Sequence, residues 1–307
     1  MTARVVCIGI ATLDAIAAVD RLPASDERVE ATDGRLAGGG IAATAAVTLA
    51  RLGVPVSFVG RVGGDAAGRL IREGLADEGV DVRGLRRDAS RSPVSAILVE
   101  TATGLRALAP YLGDRAPIEL TADDLRECAA AEWVHVDELG LPAVAALGDA
   151  DIDTPVSVDD GTGRPSIDFG RATLYAPTAA VLSDRFPART LEASAEACLA
   201  AGPWLVATTL GGDGSAAAKR TGDGIEHASA PAYNVDTVST LGAGDVFHGA
   251  LLAALLDRRH LADALRFANA VAALSCRALD GRSAIPSRDE VDELLTAGAG
   301  VAAGGRP

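Results

Sequence analysis

Short apolar runs alternate with helical stretches along most of the chain. The continuously apolar run at residues 5–10 is typical of a buried parallel strand, and similar runs lie at 54–60, 133–136, 155–158 and 204–209. Helical periodicity covers 41–52, 66–78, 243–257, 260–279 and 287–296, and Gly53 and Gly79 stand in cap positions. This repetition predicts an α/β fold of Rossmann-like type, with a mostly parallel sheet covered by helices on both faces.

Two segments interrupt this alternation. Residues 12–36 are rich in charges and contain a turn at Pro23, and residues 93–109 form two alternating runs joined at Thr103 and Gly104. Together they predict a small β sheet that projects from the main body and acts as a lid. Because no repeat or linker divides the chain, we expect a single domain over 1–307, with a disordered tail over 298–307.

Composition and charge narrow the classes of function. Among 307 residues, 49% are hydrophobic but only 3% are aromatic, so we expect a core of Ala, Val, Leu and Ile. The formal net charge of −14 comes with no basic cluster, which disfavours nucleic acid or an anionic membrane as a partner. No apolar run has the length of a signal peptide or a membrane span. Four cysteines without a C-x-x-C motif fit reduced thiols, and the expected location is the cytoplasm.

The distribution of lysine excludes two nucleotide-binding classes. Lys219 is the only lysine of the chain, and it does not follow a glycine-rich phosphate-binding loop. P-loop NTPases and protein kinases both need a lysine on the nucleotide phosphates. The sequence therefore disfavours both classes.

The segment 241–256 is the first candidate for chemistry. Gly242, Ala243 and Gly244 lead directly into a strongly apolar helix, where unpaired backbone N–H groups and the helix dipole favour an anion such as phosphate. Asp245 would lie beside the same anion, a position that suits a carboxylate that accepts a proton. The alternative is that Asp245 only caps the helix.

Glycines and an acid near the N-terminus form the second candidate. Gly38, Gly40 and Ala43 formally match the dinucleotide fingerprint, but no buried strand precedes them, and close approach of the backbone to a small polar ligand explains the glycines better. Asp14 follows the first predicted strand, where it is placed to bind two hydroxyls of a polyol. A solvated loop acid is the alternative.

Three motifs in chain order carry a family resemblance. The glycine segment that ends in Ala50-Arg51-Leu52-Gly53, the block 59–68 and the stretch 241–250 look like signatures of the PfkB/ribokinase-like carbohydrate kinases. The resemblance spans essentially the whole chain. Residues 39–47 and 276–286 are most similar to sulfofructose kinases, and Leu241 before the Gly-Ala-Gly-Asp segment is similar to ketohexokinases.

The resemblance implies a ribokinase-like fold with a small β lid and ATP-dependent phosphorylation of a sugar hydroxyl. Asp245 would be the base, and the amides of Gly242, Ala243 and Gly244 would form the anion hole. The implied sugar-binding residues are Asp14, Gly39, Gly40 and Thr44. Arg28 and Arg106 lie in the lid segments, where they would contact an anionic group of the acceptor or form surface salt bridges. The implied ATP-binding residues are Thr209, Gly211, Gly212, Gly214 and Asn269.

Three positions depart from the family pattern. Thr44 stands where relatives usually carry Asn, Ser239 stands where an Asp helps to hold a monovalent cation, and no acid occurs at 177–181, where a motif linked to Mg²⁺ belongs. Mg²⁺ is expected with ATP, but its protein ligands stay unknown and a need for K⁺ is doubtful.

The acceptor and the assembly are further expectations. A ketose or sugar acid is the favoured acceptor, a nucleoside is the enzymatic alternative, and a binding protein without turnover is the alternative from another class. A homodimer formed through the β lids is expected, because the lid would otherwise leave an exposed sheet edge.

Overall fold

A large β sheet runs through the centre of the molecule. The computed structural model describes residues 2–113, 117–164 and 166–298, so the predicted disorder of the C-terminal tail falls almost entirely outside the described residues. Within them, the sheet has nine strands in the order β13-β12-β11-β10-β9-β8-β1-β4-β5. Its members are β1 (Val5–Ile8), β4 (Val56–Gly63), β5 (Leu85–Asp88), β8 (Trp133–Val136), β9 (Val156–Asp160), β10 (Leu174–Pro177), β11 (Leu205–Thr209), β12 (Ser215–Thr221) and β13 (Gly224–Ala230).

Strand direction defines the edge on which a ligand site is expected. Seven neighbouring strands of this sheet, in the spatial order β11-β10-β9-β8-β1-β4-β5, are parallel. The remaining two, β12 and β13, form an antiparallel hairpin at one side of the sheet. The carboxyl ends of the parallel strands meet at one edge, where α/β sheets bind ligands. The mostly parallel sheet is confirmed, but the sequence analysis missed β5, β10, β12 and β13.

Helices cover both faces of the large sheet, as predicted. They are α1 (Ile41–Arg51), α2 (Ala66–Asp77), α3 (Ala122–Ala130), α4 (Leu141–Asp149), α5 (Ala179–Arg185), α6 (Leu191–Ala201), α7 (Ala243–Leu256), α8 (Leu261–Ser275) and α9 (Arg288–Gly298). One core lies under α1, α2, α7, α8 and α9, and the other lies under α3 to α6. None of the helices in these ranges is long and apolar enough to cross a bilayer.

Helix α8 is shorter than the pattern 260–279 predicts. It ends at Ser275, where the N–H groups of Cys276 and Arg277 bond to carbonyls three residues back and tighten the last turn. The chain then turns towards the carboxyl edge of the sheet. This early end brings residues 280–283 beside the N-terminus of α1.

The two segments that interrupt the alternation pair with each other in a separate small sheet. Its strands are β2 (Thr12–Val19), β3 (Ala31–Gly39), β6 (Val94–Glu100) and β7 (Arg106–Tyr111), in the order β3-β2-β6-β7. Ile16, Ala18, Ile97 and Val99 pack with Leu279 beneath it. The predicted pairing is confirmed, and β3 and β7 extend past the predicted limits to Gly39 and Tyr111.

Close packing of α1 against α7 depends on one glycine. A Cβ atom at Gly249 would lie 2.6 Å from the carbonyl oxygen of Ala45 and 2.9 Å from Cβ of Thr48. Both contacts are shorter than van der Waals distance, so only glycine fits where the two helices cross. Helix α7 carries the candidate catalytic segment, and this packing fixes its position.

We expect Gly249→Ala to destabilise the protein by about 1 kcal/mol or more, because overpacking a core contact typically costs about 1–3 kcal/mol. The matched control is Gly74→Ala on α2, where nothing lies within 4 Å of the added Cβ. That control should be stabilised by about 0.5–1 kcal/mol, the usual preference for Ala over Gly within a helix. Urea unfolding measures both. Equal stabilisation of the two variants would contradict the packing argument.

Candidate active site

A cavity of about 340 Å³ lies between the small sheet and the carboxyl edge of the large sheet. The small sheet supplies one wall, and the N-termini of α1 and α7 supply the opposite side. The polar groups that line it are Thr12, Asp14, Thr44, Ser95, Glu138, Thr162, Arg164 and Asp245. No aromatic side chain is among the lining residues of the described chain. Apolar side chains such as Leu108 and Leu112 line the rest of the cavity, so its size and its few convergent polar groups suit a small ligand that forms hydrogen bonds.

Glycines 38–40 allow the small sheet to come close to the main body. A Cβ at Gly39 would lie 2.0 Å from Oδ2 of Asp14, and one at Gly38 would lie 2.3 Å from Nη1 of Arg282. Gly40 begins α1 at φ 95°, a left-handed conformation that favours glycine. The interpretation that a ligand alone requires these glycines is therefore corrected, because protein atoms already fill the space.

Asp14 is a buried residue of β2 rather than a solvated loop acid. Its carboxylate accepts a hydrogen bond of 2.7 Å from Oγ1 of Thr12, and its side chain faces the cavity. Burial raises the pKa of Asp14, although hydrogen bonds from Thr12 and Ser95 and the charge of Arg282 oppose the shift. The carboxylate is placed to accept hydrogen bonds from ligand hydroxyls.

Arg282 is a site residue that the sequence analysis missed. Its Nη2 donates to the carbonyl oxygen of Gly39 at 2.5 Å, and its Nε donates to Oγ1 of Thr44 at 3.1 Å. Burial lowers the pKa of the guanidinium to about 10, and the carboxylates of Asp14 and Asp245 oppose this shift. Arg282 is therefore a buried positive charge between two acids. Its guanidinium also forms a hydrogen bond to the hydroxyl oxygen of Thr44.

The N-terminus of α7 offers free backbone amides. Gly242 precedes the helix at φ 72°, and no side chain caps it. Within the described chain, the N–H groups of Gly242 and Gly244 donate to no protein acceptor, whereas that of Ala243 donates to Thr240 at 3.3 Å. Nothing lies within 4 Å of a Cβ built on Gly244. With the helix dipole, these amides suit an anion.

Asp245 lies in the first turn of α7 and lines the cavity. Burial and the nearby carboxylate of Asp159 raise the pKa of Asp245 to about 7, whereas His248 and Arg282 oppose the shift. No hydrogen bond from this side chain caps the helix. A carboxyl group with a pKa near neutrality is suited to accept a proton at physiological pH.

A second buried acid, Asp137, fixes the loops around the cavity. Its carboxylate accepts hydrogen bonds from the backbone N–H groups of Ile10, Ala42, Leu139 and Gly140, at 2.7 to 3.2 Å. These donors come from the end of β1, the start of α1 and the turn after β8. Burial raises the pKa of Asp137 to about 6. The residue thus has a structural role that the sequence analysis did not anticipate.

The predicted ATP-binding residues gather beyond β11. Thr209 ends that strand, Gly211 and Gly212 are exposed in the turn that follows, and Gly214 packs at φ 102° against the backbone of residues 230–232. The side-chain amide of Asn269 on α8 donates to the carbonyl oxygens of Ala230 and Pro231 at 2.9 and 3.0 Å. These five residues do not line the cavity, and their nucleotide contacts stay predictions.

The remaining predicted positions differ in their surroundings. Arg106 on β7 donates to Oγ1 of Thr240 at 2.7 Å and so links the small sheet to the segment before α7. Arg28 is exposed in the connection between β2 and β3 and does not line the cavity. Ser239 is buried, and its hydroxyl accepts a hydrogen bond from the N–H of Leu241. The described residues contain no group of three or more potential metal ligands.

Known proteins share both the sequence pattern and the fold. The profile described as pfkB family carbohydrate kinase matches residues 2–150 and 178–288. The chain is 32% identical to the ATP-dependent ribose-1-phosphate kinase of Halopiger xanaduensis, over 95% of this chain and 98% of the relative. It is 31% identical to a fructokinase of Klebsiella pneumoniae, over 91% and 97%. The structure of Arabidopsis thaliana ribokinase complexed with ribose and ATP superposes with a TM-score of 0.81 at 27% identity, covering 96% of this chain and 99% of that one.

The sheet order, the small second sheet and the helix N-terminus beside the cavity define the ribokinase-like class of α/β proteins. Within that class, this chain belongs to the pfkB family of carbohydrate kinases, as the match over most of its length shows. The predicted family, fold and enzyme class are confirmed. The finer similarity to sulfofructose kinases and ketohexokinases stays a prediction.

We expect Asp245→Asn to raise the melting temperature at pH 8. The pKa of Asp245 is raised from 3.8 to about 7 on folding, so the folded state binds its proton more tightly and stability falls as pH rises through this range. The variant has no carboxyl group to titrate at this position and does not lose this stability. The difference in melting temperature between the variant and the native protein should therefore grow between pH 5 and pH 8. Differential scanning fluorimetry at several pH values measures it.

The matched control is Asp263→Asn, which removes an exposed carboxylate from the first turn of α8. Both residues lie in the first turn of a helix, so a change in melting temperature that occurs only in Asp245→Asn comes from burial and not from the helix dipole. A lower melting temperature for Asp245→Asn than for the native protein at pH 8 would contradict the assignment of a raised pKa.

Proposed function

We propose that this carbohydrate kinase transfers the γ-phosphoryl group of ATP to a sugar hydroxyl bound in the cavity. The observation that carries the proposal is the placement of Asp245 beside the unpaired amides at the start of α7. A proton acceptor and an anion site then share one point of the cavity wall. Phosphoryl transfer needs both, because the hydroxyl loses a proton while negative charge develops on the transferred group.

The proposed mechanism assigns each group one role. The Asp245 carboxylate accepts the proton of the acceptor hydroxyl as its oxygen attacks the γ-phosphorus, and ADP leaves on the opposite side. The amides of Gly242, Ala243 and Gly244 donate to the phosphoryl oxygens. Asp14, with the backbone of Gly39 and Gly40, orients the sugar. Mg²⁺ bound with ATP would reduce the charge on the phosphates, and no ligand for it is assigned among the described side chains.

The position of the predicted nucleotide residues supports the same arrangement. Thr209 and the turn at Gly211, Gly212 and Gly214 follow β11, whose carboxyl end lies on the same edge of the sheet as the cavity. Asn269 holds the backbone after β13 beside this turn. We propose that ATP lies along this edge, with its γ-phosphate at the N-terminus of α7. Since the proposed reaction uses ATP, we also propose a cytoplasmic location.

We propose a ketose, a pentose or an acidic sugar as the acceptor. Relatives named for kinases of ribose-1-phosphate, ribose and fructose support this class. Arg164 lines the cavity, and its guanidinium has no partner among the described residues, so it is available for an anionic substituent. A nucleoside acceptor is less well supported, because the described lining offers no aromatic side chain to stack on a base.

The test is ADP release measured over a panel of ribose, fructose, ribose-1-phosphate, a sugar acid and adenosine. We expect release that depends on a sugar, and a fall in kcat of at least ~100-fold in Asp245→Asn, the usual cost of losing a general base. Sugar and ATP binding, measured by calorimetry, should stay near the native affinity.

Asp263→Asn serves again as the control and should keep native turnover. Near-native kcat in Asp245→Asn would contradict the proposed base. Tight sugar binding without ADP release in the native protein would instead support a binding protein without turnover.

We further propose that residues 1–307 act as one domain with the small sheet as a lid, and that two lids pack together in a homodimer. The outer face of the small sheet carries a shallow hollow lined by Ala15, Ala17, Leu36, Ala96 and Leu98. Leu36 is 64% exposed, although it is a large apolar residue. A second copy would cover this face and the neighbouring strand edges.

Light scattering of the native protein should therefore give twice the chain mass of 31.0 kDa. We expect Leu36→Asp to shift the mass towards that of the single chain, because a buried charge would oppose packing of the two lids. Leu70→Asp on α2 is the control, since Leu70 is exposed but lies outside the small sheet. A native mass near 31 kDa at micromolar concentration would contradict the dimer.

A further inference from the structure

A buried ion pair lies beneath the candidate base. His248 follows Asp245 by three residues on α7, so the two side chains are neighbours on one helix face. Nδ1 of His248 bonds to Oδ2 of Asp159, which stands near the end of β9. The exposed fractions of His248 and Asp159 are 5% and 3%. The pair thus lies in the interior, on the protein side of Asp245.

The same cluster contains a second histidine. His135 on β8 is fully buried, shares a 3.1 Å hydrogen bond with Ser157, and its ring centroid lies 6.4 Å from that of His248. Nε2 of both histidines has no hydrogen-bond partner in the described protein. Burial lowers the pKa of His135 to about 4, so this ring is neutral at physiological pH.

Stability alone does not account for this cluster. Buried ion pairs are often no more stabilising than apolar residues of similar size, and buried nitrogen atoms without partners cost free energy. Here the pair stands behind a carboxylate that lines the proposed reaction site. Its charges therefore act where a proton transfer is expected.

Charges face Asp245 from four directions. Asp159 on β9 and Asp137 after β8 are acids, and Arg282 after α8 and His248 on α7 are basic. His248 itself is faced by Asp159, Asp245 and the neutral ring of His135. Burial alone lowers the pKa of His248, but Asp159 and Asp245 together more than offset this, and the net pKa is raised. The adjacent carboxylate thus favours the protonated imidazole, in which Nδ1 donates to Oδ2 of Asp159.

We propose that the Asp159–His248 ion pair sets the proton affinity of Asp245 by balancing the charge next to its carboxylate. The inference rests on the proposed function, in which Asp245 is the base. While the pair is intact, its opposite charges largely cancel at Asp245. Loss of either member leaves an unbalanced charge close to the base, where the interior dielectric screens it weakly.

The two single variants should shift the pH profile in opposite directions. His248→Asn keeps a hydrogen-bond donor for Asp159 but removes the positive charge, so Asp245 holds its proton more tightly and the acid limb of kcat/KM moves to higher pH. Asp159→Asn removes the negative charge, while the ionised Asp245 still favours the protonated imidazole of His248, so the limb moves to lower pH. We expect each shift to be about one pH unit, the effect of one charge at this range in a partly shielded site.

Two further variants separate charge from packing. The double variant Asp159→Asn with His248→Asn restores neutrality, and its acid limb should return close to that of the native enzyme. His135→Gln alters the same cluster without removing a charge and should leave the limb in place. The folded fraction of each variant is measured by circular dichroism at every pH and used to correct kcat/KM, so partial destabilisation does not obscure the limb.

A readout independent of turnover uses the imidazole NMR signals. The chain has four histidines, and His248→Asn identifies the signal of His248 by its loss. Since coupling between two sites is reciprocal, Asp245→Asn should lower the pKa of His248. This titration separates the two hypotheses. The reciprocal shift without any kinase activity would refute the proposed function and keep the coupling.

Normal kinase activity with unmoved acid limbs in both single variants would refute the inference and keep the proposed function. Shifts of both limbs in the same direction would also overturn it, because they would indicate a general structural disturbance rather than opposite charges.

Discussion

The carboxylate of Asp137 joins three separate parts of the chain at the cavity. Its oxygens accept N–H groups from the end of β1, the start of α1 and the turn after β8. A Cβ at Gly9 would overlap this carboxylate, so the chain passes as closely as a backbone can. Because buried N–H groups need acceptors, loss of these hydrogen bonds would release all three segments at once. The cavity walls depend on this interaction.

Several buried acids lie close together at the cavity, and each of them needs a compensating partner. The carboxylates of Asp14, Asp137, Asp159 and Asp245 lie around or below the cavity, and Glu138 also lines it, in a protein whose net charge is already −14. Backbone N–H groups donate hydrogen bonds to Asp137, His248 is paired with Asp159, and Arg282 lies near Asp14 and Asp245. Such a site tolerates an uncharged sugar easily. An acidic sugar requires a basic side chain that is not already paired with a carboxylate. Among the described residues, Arg164 lines the cavity without such a partner.

The sequence indicated most of the large elements, because the helices α1, α2, α7 and α8 and the strands β1, β4, β8, β9 and β11 each satisfy one clear periodicity. It did not reveal β12 and β13, since these strands are rich in Ala and are held by pairing rather than by local preference. The motif around Asp245 is local and was readable. The role of Arg282 could not be predicted from the sequence, because its partners Gly39 and Thr44 lie more than 230 residues away in the chain. The sequence correctly indicated that the backbone at glycines 38–40 is closely approached, but the neighbours are the side chains of Arg282 and Asp14 and the backbone of Ile10, which only the fold brings there.

The hydrogen bond between Arg106 and Thr240 joins the wall of the cavity to the segment that leads into α7. Any movement of the small sheet must therefore either break this bond or displace the chain just before the free amides. The guanidinium group of Arg106 thus connects the small sheet mechanically to the N-terminus of α7. By reciprocity, a ligand that favours one position of the sheet changes the affinity of the helix N-terminus for an anion, and an anion bound there changes the affinity for the ligand by the same factor.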